Sequence, residues 1–281
     1  MSGNIVAVDE LARAYRAAGA GVFCRGAACL DEETRPQTRH SGTEVDQAPI
    51  RSAAADGPAV GPAERVVVVC GAAPAVGTST VALALAGAVS GKARVVECCS
   101  ASASGLAAAS TAELGEFGQG WVRSDRDGLV IERRADRAGG PSEVPAPVAG
   151  QQGAWTFLDC SWDVEGLVRS DGWLAEQVRS AAAVVLVTRA TVPGVRRLDV
   201  ALCLLGEPRA VAVLVGAGRR WPRPVQQAAS AAVRRLRARG RLVCVPNDAH
   251  LALSGLTPDP LPAAVRMAGV RVLDQVKGLL S

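Results

Sequence analysis

Lysine is nearly absent from this chain: of 281 residues only Lys92 and Lys277 carry an ammonium group, and arginine supplies the rest of the positive charge. The arginine bias runs together with abundant alanine, glycine and valine, the pattern of a GC-rich coding sequence, and by itself says nothing about phosphate chemistry. The net charge is +4, too small to make a global electrostatic case for nucleic acid. Aromatic residues amount to 3%, so core volume has to come from valine, leucine and alanine, as in buried parallel strands and the helices that cover them. The eight cysteines contain no CxxC pair. Cys24, Cys29 and His40 lack a fourth ligand and match no zinc-ribbon or finger spacing, while Cys70, Cys98, Cys160, Cys203 and Cys244 sit in or beside apolar runs as small hydrophobes. The first 20 residues have neither a basic start nor an apolar core segment. No apolar run approaches membrane-spanning length, so no integral membrane segment is expected. The expected location is a reducing cytoplasm.

What is present is enough for one large α/β domain with an appendage: 49% hydrophobic and 21% charged residues. Residues 1–30 hold one short helical pattern, 8–18. Residues 31–64 are polar and rich in Gly, Pro, Ser and Thr, which predicts a flexible linker. From 65 to 281 strand and helix patterns alternate. Strands are expected at 65–70, 93–99, 129–132, 155–159, 183–188, 210–215 and 241–245. Helices are expected at 79–90, 103–112, 174–182, 195–205, 224–239 and 262–280, with an exposed loop over 136–153. Repeated βα units with continuously apolar strands predict a mostly parallel sheet covered by helices on both faces. Ligands in such folds bind at the carboxyl ends of the strands.

The most informative stretch is the first strand with the loop and helix after it. Val66–Val69 stop at a small-residue loop that ends in Gly77, Thr78, Ser79 and Thr80, and an apolar helical pattern begins. Strand, small-residue loop and helix form the context of a phosphate-binding loop, in which backbone N–H groups of Ala75, Val76, Gly77, Thr78, Ser79 and Thr80 would cradle an anion at a helix N-terminus. In the register G-x-x-x-x-G-K-[ST], Gly77 and Ser79 match, the first glycine is Ala72 with Gly71 one place early, and the lysine is Thr78. Ser79 remains able to ligate Mg²⁺. What is lost is the cation that reaches the β/γ-phosphates, and with it much of the transition-state stabilisation. Trp155-Thr156-Phe157-Leu158-Asp159 is an apolar strand ending in an acid, where a carboxylate holds Mg²⁺; the alternative is a strand-end cap. Glu97, at the end of the preceding strand, is placed to orient a water or Mg²⁺, or else is a solvated carboxylate. Asp159 and Glu97 are the candidate catalytic residues.

These segments resemble the deviant-Walker ParA/MinD superfamily of P-loop ATPases, and within it the CpaE/TadZ-like branch with eroded motifs, of actinobacterial type. The resemblance rests on Ser79-Thr80-Val81-Ala82-Leu83-Ala84-Leu85-Ala86 after the loop, on Asp159-Cys160-Ser161-Trp162, on Val185-Leu186-Val187-Thr188, and on Pro246-Asn247-Asp248-Ala249-His250-Leu251. It covers about 65–280. It implies a P-loop NTPase fold, ATP or ADP with Mg²⁺ on Ser79 and Asp159, and contact of Pro246 and Asp248 with the base. It also implies a homodimer or other protein partners in secretion, pilus, conjugation or septum-placement machinery. The chain departs from that pattern at Ala73, where the signature lysine stands, at Thr78, at Cys99, where a second acid stands, and at Val215-Gly216-Ala217-Gly218, where the adenine-reading asparagine is not evident. Weak or absent ATP hydrolysis is therefore expected. The alternatives are an active ATPase using an arginine in place of the lysine and a nucleotide-free scaffold or DNA-associated partitioning factor.

Two arginine clusters stand apart from these motifs. Trp221, among Arg219, Arg220 and Arg223, offers a base-stacking ring, or else belongs to a surface loop. Arg234, Arg235, Arg237 and Arg239 could hold DNA non-specifically, or else form the solvated face of an amphipathic helix.

Overall fold

The computed structural model describes residues 64–281 apart from Ala101, Gln119 and Arg219. The helical pattern at 8–18, the expected linker except for its last residue, and Cys24, Cys29 and His40 lie outside the described residues.

The strands are β1 (Arg65–Gly71), β2 (Ala93–Glu97), β3 (Ala112–Glu116), β4 (Trp121–Arg126), β5 (Leu129–Arg134), β6 (Trp155–Cys160), β7 (Val184–Arg189), β8 (Ala210–Val215) and β9 (Leu242–Val245). They form one nine-stranded sheet in the order β3-β4-β5-β2-β6-β1-β7-β8-β9. Every neighbouring pair is parallel except β3 with β4 and β4 with β5, so β4 alone runs against the rest. The helices are α1 (Thr78–Ala86), α2 (Val164–Arg169), α3 (Trp173–Ser180), α4 (Val192–Leu205), α5 (Arg223–Ala228), α6 (Ala231–Ala238), α7 (Ala249–Ser254) and α8 (Ala263–Leu280).

Alternation along the central strands feeds two cores. In β1, Val68 and Cys70 face one side with Leu167, Leu174, Leu198 and Val233 of α2, α3, α4 and α6. Val67 and Val69 face the other, with Leu83 of α1 and Val272 of α8. The period of two is that of a strand buried on both faces, where both sets of side chains must be apolar. This is the covered, mostly parallel sheet that the patterning predicts.

Three expectations are corrected, and one strand is added to them. Residues 103–112 do not form a helix: a single 3-10 turn, Leu106–Ala109, leads into β3, whose residues are all exposed. The alanine-rich composition suggests a helix, but pairing with β4 decides the outcome. The patterning does not predict β4 itself. It is tied to β5 by a two-residue turn in which Asp127 (φ 53°) and Gly128 (φ 83°) are both left-handed, the geometry that Asp-Gly favours in a tight hairpin. The expected helix over 224–239 is two helices. Ala229 is extended, and Ser230 restarts the chain by accepting the Val233 N–H at 3.2 Å. The 136–153 loop is not simply exposed, since Val144 is buried and its carbonyl accepts the Trp173 indole N–H at 2.6 Å.

Candidate functional site

The site is built at the carboxyl ends of β1, β6 and β7. After Gly71 the chain turns over Ala72, whose N–H donates to Val187 O of β7 at 2.8 Å. Ala75 (φ 54°) and Gly77 (φ 96°) are left-handed. Gly77 is the residue before α1, and a β-carbon there would meet nothing within 4 Å; the glycine is required by the backbone turn, and the space above it is open. No side chain caps α1, and its first turn holds no acid, so its leading N–H groups are available to an external anion. These are the cradle residues the sequence singles out, Ala75 to Thr80, brought to one helix end.

Thr78 occupies the lysine position and is buried. Its hydroxyl is folded back: a β-carbon on Gly71 would lie 2.6 Å from Thr78 Oγ1. The residue therefore packs under the loop and places no charge above it. Ser79, next in line, donates from Oγ to Asp159 Oδ2 at 2.6 Å, although the two are 80 residues apart. Ser161 donates to the other oxygen, Oδ1, at 3.1 Å. Asp159 is fully buried. Burial pushes its carboxyl up to about 6, with the two hydroxyls pulling down and the charge of Glu97 adding to the rise.

Glu97 pairs with Asp159 across β2 and β6. It is buried, and its Oε2 accepts the Arg134 backbone N–H at 3.0 Å, so it is not a solvated strand end. Cys99 is buried, and burial pushes its thiol far up, helped by the charges of Asp159 and Glu97. It is a neutral thiol beside two acids. The oxygen donors Ser79 and Asp159 fit Mg²⁺, which takes one or two protein oxygens and completes its shell with water and phosphate. Among the described residues there is no cluster of three His, Cys, Asp or Glu that would hold a metal unaided.

On the other flank a small cleft is bordered by Val76, Gly77, Thr80, Pro246 and Asp248, so the fold brings the expected base-contacting residues to the loop. The Asp248 side chain caps α7, accepting the Leu251 N–H at 2.9 Å. Asn247 and Arg189 also border this cleft, and sequence reasoning singles out neither. Asn247 is legible as the middle of Pro246-Asn247-Asp248, whereas nothing in the sequence connects Arg189 to residue 75.

Trp221 and the arginines at 234–239 are otherwise engaged. Trp221 does not offer a ring to a base: it is buried, its indole N–H donates to Cys244 Sγ at 3.3 Å, and the Arg237 guanidinium covers it at 4.6 Å. The Trp joins the core that holds Leu198, Val225 and Val233 of α4, α5 and α6. Arg235 and Arg239 pair with Glu207, and Arg234 donates to Ala229 O. No helix among the described residues is long and apolar enough to cross a membrane.

No family profile matches this chain, and no curated protein matches it in sequence. Solved structures do match in shape. A protein assigned to plasmid partition in Borrelia burgdorferi B31, bound to AMPPNP, superposes with a TM-score of 0.50 at 10% identity, over 76% of this chain and 99% of that one. A Cyanothece McdA variant in complex with ATP gives 0.50 at 10%, over 78% and 97%. The cell division ATPase MinD of Pyrococcus furiosus gives 0.48 at 13%, over 76% and 99%. The first two likenesses establish the fold as the P-loop sheet of the ParA/MinD type.

Proposed function

We infer that this chain is a nucleotide-binding protein of the degenerate ParA/MinD-like kind, a positioning or regulatory factor in which binding outlasts efficient hydrolysis. The observation that carries it is the Ser79–Asp159 hydrogen bond of 2.6 Å at the foot of a left-handed loop. A hydroxyl at the start of the helix and a carboxylate at the end of β6 are held in contact where a Mg²⁺-bound phosphate chain would need both. ATP or ADP would bring its phosphates to the N–H groups of 75–80, Mg²⁺ to Ser79 and Asp159, and its base to Pro246 and Asp248. With Thr78 tucked against Gly71, hydrolysis lacks its usual helix-end cation and is weak or absent. Partners in a secretion, pilus, conjugation or septum-placement apparatus, the CpaE/TadZ-like affiliation, a homodimer and non-specific DNA contacts through Arg234, Arg235, Arg237 and Arg239 belong to this proposal on resemblance alone.

Calorimetric titration with ATP and ADP, with and without Mg²⁺, tests it. Micromolar Mg²⁺-dependent binding that Asp159→Ala abolishes is the expected result. No binding at millimolar nucleotide would retire the proposal in favour of a nucleotide-free scaffold, in which the loop is kept only as a tight turn.

A further inference from the structure

Arg189 is the last residue of β7, and its backbone is held from three directions. It pairs with Val215 of β8, its carbonyl accepts the Thr191 N–H at 2.8 Å, and a β-carbon on Gly194 would lie 2.3 Å from that same carbonyl oxygen. From this fixed base the exposed side chain crosses to the loop, and Nη2 donates to Ala75 O at 3.2 Å. One donation leaves most of the five guanidinium N–H donors unspent. Among the described residues no carboxylate lies within ion-pair distance of it, in contrast to Arg94, Arg123, Arg133, Arg134, Arg169, Arg235 and Arg239. Together with Gly77 and Thr80 it borders the cleft at the open end of α1.

We propose that Arg189 supplies in cis the phosphate-binding cation that Thr78 does not, approaching from the end of β7 rather than from the helix. The idea rests on the nucleotide-binding function just proposed and adds a residue to it. An arginine suits the position because its planar fork can hold the Ala75 carbonyl with one arm and present the other to phosphate oxygens in a fixed geometry that a lysine's single ammonium does not impose. The cation sits over the loop flank near Ala75, not beside Ser79 and Asp159. It therefore strengthens the grip on the phosphate chain without reproducing a helix-end charge at the terminal phosphate, and affinity survives while turnover does not.

The test is calorimetry on the full chain with Mg-ATP and, separately, adenosine, comparing the unaltered protein with Arg189→Ala, Arg189→Gln and Arg189→Lys. The expected result is a loss of Mg-ATP affinity of roughly 10- to 100-fold in the Ala and Gln variants, the scale of a charge-assisted hydrogen bond. Adenosine, which carries no phosphate, should lose far less than Mg-ATP although Arg189 also borders the base cleft, and the Lys variant should show partial recovery. Thermal melting should be unaltered because the side chain is exposed, and the Gln and Lys variants decide the matter if the Ala variant fails to fold. Mg-ATP affinity within about twofold of the unaltered protein, or an equal loss for adenosine, overturns the role of Arg189 while leaving the nucleotide site standing. Failure of the unaltered protein to bind Mg-ATP overturns both.

Discussion

Asp159 carries the sharpest consequence at the scale of a single residue. Its carboxyl is raised to about 6 from an ordinary 3.8, chiefly by burial. The folded chain thus holds a proton there that the unfolded chain releases between about pH 4 and 6. The stability from this group is full below the unfolded value and is lost as pH rises through the folded one, on the order of 3 kcal/mol across the window. Asp159→Asn should therefore melt higher than the unaltered protein at about pH 7, with the gap closing by about pH 4, as followed by circular dichroism. A gap independent of pH would contradict the buried, ionising carboxylate. The same titration gives nucleotide binding an opposite pH dependence. Mg²⁺ requires the ionised form, so Mg-ATP affinity should rise through about pH 6 and level off above it, measurable by calorimetry from about pH 5 to 8.

Among the elements, α1 is the one whose position decides the site, and α8 holds it. The two helices cross at Gly269, where a β-carbon would fall 2.3 Å from Ala84 O. The clash is with backbone and cannot be relieved by a rotamer change. Gly269→Ala should push α8 away from α1 and cost about 1–3 kcal/mol, read as a lowered denaturant midpoint, and should weaken any nucleotide binding that depends on the α1 N-terminus. The elements that sequence patterning misses share a cause. β3 and β4 pair beyond the parallel strands; β3 is exposed throughout, and β4 alternates only over a short stretch. The Asp127-Gly128 turn, which joins β4 to β5, is the one local signal for β4. The division of 224–239 turns on Ser230 acting as a cap within an apolar periodicity that continues on both sides.

The whole molecule is tied at the other end of the sheet by a buried charge network. Arg94 bonds Glu64 and Glu132, each at 2.8 Å, and Glu132 bonds Arg123 at 2.6 Å. Arg94 also donates to Thr156 Oγ1 at 2.8 Å and Val148 O at 2.7 Å. The Glu64 and Glu132 side chains are 0% and 1% exposed. Glu64, last residue of the stretch expected to be a linker, is thus an anchor joining the start of β1 to β2 and β6. Removing Arg94 strands the buried Glu64 carboxylate, so Arg94→Ala should cost about 3–5 kcal/mol in urea unfolding, far more than the exposed pair of Arg169 with Glu165 is worth.

Local composition was enough for the parallel core and the strand-loop-helix unit, and it singled out Ser79 and Asp159 as candidates. Runs of β-branched residues favour buried strands, and a small-residue turn between strand and helix exposes N–H groups at the helix start. The order of segments sufficed for the fold class because each βα unit closes locally. Folding is what brings Ser79 to Asp159, buries Glu97 beside it, places Trp221 in the core and carries Arg189 to Ala75. Each of these joins residues whose sequence separation carries no periodic signal. They meet because parallel strands align in register, which places strand ends distant in sequence at one edge of the sheet.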